Sequence, residues 1–125
     1  LYRITLLTED GQYKPDVFPQ ALEIKYNRDI TAEQLVDATR KQMQHISFEN
    51  TDSEEWFQQL TELWPDVKKG DILRFEVDKE QNNRFLYNGE FIGSIDDPAF
   101  SDGFLSIWLS PKTSEPALRN QLING

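Results

Sequence analysis

Two hydrophobic periods divide this chain. Leu22, Ile24 and Tyr26 alternate with Glu23, Lys25 and Asn27, and Leu73, Phe75 and Val77 alternate with Arg74, Glu76 and Asp78. A period of two sends apolar side chains to one face of an extended strand and polar ones to the other. Both segments therefore read as half-buried strands. Leu1–Thr8 is also β-rich, with Tyr2, Ile4 and Leu6 on one face and Arg3 and Thr5 on the other. Arg84–Tyr87 and Glu90–Ile95 predict a hairpin around Asn88-Gly89, a pair that suits a type I′ turn because both residues take positive φ at little cost. Gly93, inside the second arm, predicts a bulge or a close approach by another backbone.

The second period is helical. Leu35, Val36, Thr39, Met43 and Ile46 form one stripe; Trp56, Phe57, Leu60, Leu63 and Trp64 form another; Phe100, Phe104, Ile107 and Trp108 form a third. Such spacing turns one face of a helix toward a core. Thr31 and Gln34 predict a capping box at the first helix. Asp52-Ser53-Glu54-Glu55 predicts a cap for the second, with acids at the positive end of its dipole. Asp96-Asp97-Pro98 predicts the start of the third, since a first-turn proline loses no hydrogen bond. Pro65 ends the second helix and Ser110-Pro111 the third. A short last helix, capped near Ser114, carries Leu118, Leu122 and Ile123. Turns at Glu9-Asp10-Gly11, Lys69-Gly70-Asp71 and Glu80–Asn83, and a loop over Pro15–Pro19 holding Val17 and Phe18, separate the elements. The order is ββααβββαα. Three consecutive strands joined by tight turns predict an antiparallel meander, with paired helices over one face, an α+β layer architecture.

Composition narrows the function classes. The 125 residues fit one domain, without internal repeat or linker. The formal net charge of −9 argues against nucleic-acid binding, which needs clustered Lys and Arg, and against docking on anionic membranes. A protein partner stays open. The absence of Cys excludes disulfides, thiolate catalysis and Cys-based metal sites. No apolar run reaches the roughly 18 residues that a membrane-spanning helix needs.

Little of the chain carries chemistry. His45 is the sole histidine, so no multi-His metal site can form, and it reads as a surface or helix-end residue. Adjacent Asp96 and Asp97 read as caps rather than an acid–base pair. No nucleophile elbow or Gly-rich phosphate loop occurs, and neither a metal nor a cofactor is implied. Two arginines stand out. Arg3 lies in an otherwise apolar strand; it either faces water or, on the covered face, needs a carboxylate or a ligand as partner. Arg28 lies at a strand-to-helix junction beside Asp29, where it either pairs with a nearby acid or meets a ligand carboxylate. The aromatic stripes read most simply as core; a lipid cavity would use the same residues and leave them under-packed.

Four blocks, in order and spacing, resemble the chalcone isomerase-like family in its bacterial branch: Asn27–Ala38, Glu54–Asp71, Tyr87–Asn88–Gly89 and Ala99–Pro111. Ser110 stands where such relatives often have Gly. The resemblance covers essentially the whole chain. It implies an open-faced β-sandwich, a curved antiparallel sheet packed against helices, forming a single domain over 1–125 that lacks one or two N-terminal strands of the family. It also implies a bacterial, exported or periplasmic protein. Family enzymes are implied to hold substrate with an upstream Arg, a Thr, and a Tyr and Asn of the first helix. The Arg position falls before Leu1; the others fall on Tyr2, Leu35 and Gln42, so the enzymes' polar set is not kept. Fatty-acid-binding relatives are implied to hold a carboxylate with a Tyr hydroxyl beside an Arg, an arrangement that Tyr2 resembles.

The expectation is a non-catalytic binding protein for a small apolar or fatty-acid-like carboxylate, with Tyr2, Arg3 and Arg28 as the ligand-binding candidates. A module that binds a protein partner and no small ligand is the alternative, and predicts a fully packed interior. An intramolecular lyase acting on chalcone-like substrates is the third reading.

Overall fold

The computed structural model describes residues 2–124; Leu1, which the alternation assigns to the first strand, lies outside them. Five strands form: β1 (Tyr2–Thr8), β2 (Gln20–Tyr26), β3 (Ile72–Val77), β4 (Asn83–Tyr87) and β5 (Glu90–Gly93). They lie in chain order in one sheet, each antiparallel to its neighbours. The meander thus includes β1 and β2 as well as the three later strands. Four helices accompany the sheet: α1 (Ala32–His45), α2 (Ser53–Leu63), α3 (Pro98–Leu109) and α4 (Pro116–Asn124).

The register sorts the two faces as the alternation predicts. Tyr2 stands opposite Tyr26, Ile4 opposite Ile24, Leu22 opposite Phe75, and Phe75 opposite Phe85. These side chains face the helices, and most are buried. The outer face carries cross-strand ion pairs. Arg74 donates to Glu23 at 2.8 Å and to Glu76 at 2.6 Å, and Arg84 donates to Glu76 at 2.6 Å. Being partly solvated, such pairs fix register more than they stabilise.

Two boundaries differ from the sequence pattern. β2 starts at Gln20, before the alternation sets in, because the buried Gln20 amide donates to the carbonyls of Lys14 and Val17 and ties the preceding loop down. β5 stops at Gly93, and Ile95 continues as buried irregular chain. The Asn83 side chain replaces the lost ladder there: it accepts from Ile95 N at 3.0 Å and donates to Ile95 O at 2.7 Å and to Ser101 Oγ at 2.8 Å. The irregularity expected at Gly93 is present, since the β4–β5 register shifts between Phe85 and Leu86. The close approach comes from a side chain, however. A Cβ at Gly93 would lie 2.0 Å from Leu63 Cδ1, and φ is +143°.

The helix signals hold at α1 and α3. Thr31 Oγ1 accepts from Gln34 N, and Gln34 Oε1 accepts from Thr31 N, a complete capping box. Asp97 caps α3 through Ala99 N, and its second oxygen accepts from Trp56 Nε1 at 3.0 Å. They fail at α2 and α4. Asp52 makes no side-chain cap, although Glu54 and Glu55 do occupy the first turn. The Ser114 hydroxyl donates to Gln42 Oε1 across to α1 instead of capping α4. α3 is also more central than its stripe predicts: besides Phe100, Phe104, Ile107 and Trp108, it buries Ser101, Gly103, Leu105 and Leu109. A Cβ at Gly103 would meet the Phe48 ring at 2.6 Å, so glycine lets the segment after α1 lie directly on this helix.

Candidate functional site

Where β1 and β2 pass beneath α1 and α3, the interior is hollow. A cavity of about 350 Å³ opens there. Ile24 and Leu73 form its floor on the sheet, Leu35 and Thr39 of α1 one wall, and Phe104, Ile107 and Trp108 of α3 the other. The exposed residues among its lining, Arg28, Gln34, Ala38 and Glu115, mark the rim. The volume lies at the lower end of the roughly 300–1,000 Å³ usual for small-molecule sites.

Some of the polar groups in the cavity wall are held in place. Trp108 Nε1 donates to Tyr2 Oη at 2.9 Å, and the two rings meet edge to face at 6.4 Å. Tyr26, opposite Tyr2 on β2, packs against it at 6.5 Å. The Tyr2 oxygen thus already accepts one bond, while its own proton has no acceptor among the described residues. Burial pushes the Tyr2 phenol above its ordinary pKa, the Trp108 bond opposes this, and Glu115 adds to the rise. Burial raises Tyr26 much further. Both hydroxyls therefore stay protonated at neutral pH, and Tyr2 is a directed donor. Thr39 Oγ1 donates to Leu35 O at 2.8 Å, and Gln42 Oε1 is taken by Ser114, which leaves the Gln42 amide N–H groups available.

The three sequence candidates separate. Tyr2 and Arg28 both line this cavity. Arg28 forms no ion pair with any described residue; Asp29, its sequence neighbour, instead accepts from Lys69 N at 2.9 Å. The segment that carries Arg28 is pinned by a two-bond bridge between Ile30 and Val67, both bonds 2.9 Å long, and by Asp66, which accepts from Ala32 N. An exposed guanidinium on a pinned backbone, without a carboxylate partner among the described residues, stands at the rim of an apolar hollow, in a chain of net charge −9. Arg3 is elsewhere. One residue along from Tyr2, it points to the outer face opposite Lys25, is exposed, and lines no part of the cavity. Alternation on β1 settles this: if Tyr2 and Ile4 face in, Arg3 faces out.

One group in the wall escapes a reading of the sequence. Trp64, 5% exposed, lines the cavity, and its Nε1 is buried without a hydrogen-bond partner among the described residues. Its helical spacing marks it only as core, and nothing in the one-dimensional pattern shows which acceptors surround an indole.

Other hollows are less suited to an apolar acid. One of about 470 Å³ under the 13–20 loop is lined by Asp16 and Asp102, and the Asp102 carboxyl is raised by burial and by Asp16. Another, of about 530 Å³, is a polar groove along α1 bearing Glu33, Asp37 and Arg40. Among the described residues no group of three His, Cys, Asp or Glu could hold a metal ion, and no helix is long and apolar enough to cross a membrane.

A family model described as chalcone isomerase-like matches residues 2–124. The chain belongs to the chalcone isomerase-like family. It is 25% identical over 123 residues to an uncharacterized protein of Haemophilus influenzae, a match covering 98% of this chain and 60% of that protein. The crystal structure of a fatty-acid binding protein of Arabidopsis thaliana superposes with a TM-score of 0.68 at 12% identity, covering 85% of this chain and 55% of that one. The chain therefore spans little more than half the length of these relatives. The structural likeness bears on the fold: the open five-stranded antiparallel sheet with four helices is the chalcone isomerase-like α+β architecture. Leu35 and Gln42, to which the resemblance carries the enzymes' helical Tyr and Asn, both line the cavity of this family member.

Proposed function

We propose that this chalcone isomerase-like domain binds a small apolar carboxylic acid, of the fatty-acid kind, in the cavity between β1–β2 and α1–α3, as a carrier or sensor rather than a catalyst. The single observation that carries this is the pairing of an apolar hollow with a fixed donor, Tyr2, in its wall and an unpaired cation, Arg28, at its rim. The ligand's tail fills the hollow, and its carboxylate meets Arg28 and accepts from Tyr2. Glu115, also on the rim, turns the carboxylate toward the Arg28 side by repulsion. That the structural relative from Arabidopsis thaliana is a fatty-acid binding protein supports the reading. Leu35 counts against a cyclase, because it offers an isobutyl group where a phenol is implied for the enzymes. The hollow counts against a pure interaction module, which predicts a filled interior.

Isothermal titration with saturated acids of increasing length tests this. Each methylene buried is worth about 0.8 kcal/mol, so affinity rises about fourfold per carbon until the hollow is full, then levels off. Arg28→Gln and Tyr2→Phe each weaken binding by about tenfold or more through loss of a charge-assisted hydrogen bond. Absence of binding at every length sinks the proposal, and undiminished binding by both variants removes these residues from it.

A further inference from the structure

The cavity of about 470 Å³ under the 13–20 loop lies against another face of α3 and shares no lining residue with the hollow described above. Tyr13, Asp16, Phe18, Gln20, Asp102 and Leu105 are among its lining. Its charges are uncompensated. The Asp102 carboxyl is raised by burial and then by Asp16, and the Tyr13 phenol, raised first by burial, feels both acids. The cations nearby are engaged elsewhere: Lys14 pairs with Asp10 at 3.7 Å, and Arg119, which is felt at Tyr13, donates from Nε to Leu109 O at 2.8 Å.

Gln20 makes this more than two neighbouring surface acids. It is 4% exposed, and its Nε2 donates to Val17 O at 2.9 Å and to Lys14 O at 3.2 Å, which fixes the planar amide and turns its oxygen away from those carbonyls. Oε1 accepts from no described residue. Nor is it sealed, for the sealed side-chain atoms without a partner among the described residues are Thr8 Oγ1 and Trp64 Nε1. It is therefore open to a molecule the size of water. Because β2 sends Gln20 to the same side as the buried Leu22 and Ile24, toward the helices, the space it opens on is this cavity. Two carboxylates and an amide oxygen thus border one space as acceptors without donors. An ammonium group has three N–H donors and no acceptor. A calcium ion would ask for six to eight oxygen ligands, whereas Tyr13, Phe18 and Leu105 suit an aliphatic stem, and aromatic rings attract a cation.

We propose that this cavity binds a primary ammonium group on an aliphatic stem, held by Asp16, Asp102 and Gln20 Oε1. A small alkylamine and the lysine side chain of a partner protein present the same group. The site stands or falls independently of the acid-binding hollow.

The test titrates n-butylamine, Nα-acetyl-lysine methylamide, n-pentanol and calcium chloride in turn into ¹⁵N-labelled protein at neutral pH and constant ionic strength. The Gln20 side-chain amide and the backbone amides of 13–20 and 101–106 are followed by NMR. n-Butylamine should shift these signals saturably, and the uncharged n-pentanol should not. If the lysine derivative shifts them as strongly, the cavity admits a partner's lysine; if it does not, the ligand is a free amine. Asp16→Asn and Asp102→Asn should each weaken amine binding about fivefold, the worth of one partly solvated ion pair. Both positions are exposed, so these variants keep the fold. The proposal is overturned if neither amine gives a saturable shift, if both variants bind n-butylamine as tightly as the parent, or if calcium chloride moves these signals while the amines leave them still.

Discussion

The two ends of this interior are built on the same sheet and the same helix, yet one is solid and the other hollow. At the β3–β4 end, Phe75, Phe85, Phe100 and Phe104 pack as an interlocked cluster with ring centroids 4.7–6.1 Å apart, and all are 0–2% exposed. At the β1–β2 end, Tyr2, Tyr26 and Trp108 are as bulky, but α1 meets them with Leu35, Ala38 and Thr39, and space remains. The number of aromatic rings does not set the difference. What sets it is what faces them: phenylalanines of α3 at one end, short side chains of α1 at the other. Trp64 and Phe104 touch both regions, closing the hollow on one side and completing the cluster on the other. A domain of this size can keep a cavity where one end of its core supplies most of the stability.

That division predicts unequal responses to a change of volume. Phe85→Ala removes a ring that contacts Phe75, Phe100, Phe104 and Trp64, in a region that cannot collapse around the gap. It should cost about 3–5 kcal/mol in denaturant unfolding. A loss below about 1 kcal/mol would mean that the cluster is not the tighter end.

The converse change sharpens the comparison. Thr39→Leu adds volume inside the hollow and gives up only the local bond from Oγ1 to Leu35 O, on a helix where Leu is the better former. Stability should stay within about 1 kcal/mol of the parent, short of the penalty for overpacking a filled core, while affinity for a medium-chain acid falls by roughly tenfold or more, the equivalent of about two methylenes displaced. A large loss of stability with unchanged binding would mean that the hollow is not the ligand's seat.

How much of this was legible follows the same division. Alternation placed β2 and β3 with their buried faces, because a half-buried sheet writes its two environments directly into the sequence, and the Asn88-Gly89 turn placed β4 and β5. The capping box at Thr31 and the Asp97–Pro98 start of α3 were legible for the same local reason. The hollow was not. Phe104 and Trp108 sit on one helical stripe, and the pattern cannot say that the first fills a cluster while the second borders space. The Tyr2–Trp108 bond joins residues 106 apart in sequence, and the burial of Trp64 Nε1 without a partner among the described residues is a property of the packed core alone. Arg28 could be singled out from its junction, but its lack of an acid partner became visible only once Asp29 was seen bonded to Lys69 N. Arg3 stayed ambiguous until the register with Lys25 put it outside.

The smallest effect separates the two ends by chemistry rather than volume. The hollow end holds Tyr2 and Tyr26, whose phenols are raised above the ordinary 10.0 chiefly by burial, whereas the phenylalanine cluster titrates nowhere. A tyrosine whose folded pKa exceeds its unfolded one keeps its proton in the native state after the unfolded chain has begun to release it. Its stabilising contribution is therefore complete below about pH 10 and is lost as pH rises from there toward the folded value. Unfolding free energy should hold steady to about pH 9 and then decline. Tyr26 contributes most, being the most strongly raised, and its hydroxyl makes no hydrogen bond to a described residue, so Tyr26→Phe leaves no partner orphaned. Denaturant titrations across this range should show a shallower alkaline decline in Tyr26→Phe than in the parent. Tyr13 and Tyr87 are also raised, the first mainly by burial and the second mainly by its bond to Asp71, but both are reached by solvent and contribute less. An alkaline decline that is unchanged both in Tyr26→Phe and in the double variant Tyr2→Phe, Tyr26→Phe would place the weakness at Tyr13 and Tyr87, and the hollow end would then be no softer toward base than the rest of the molecule.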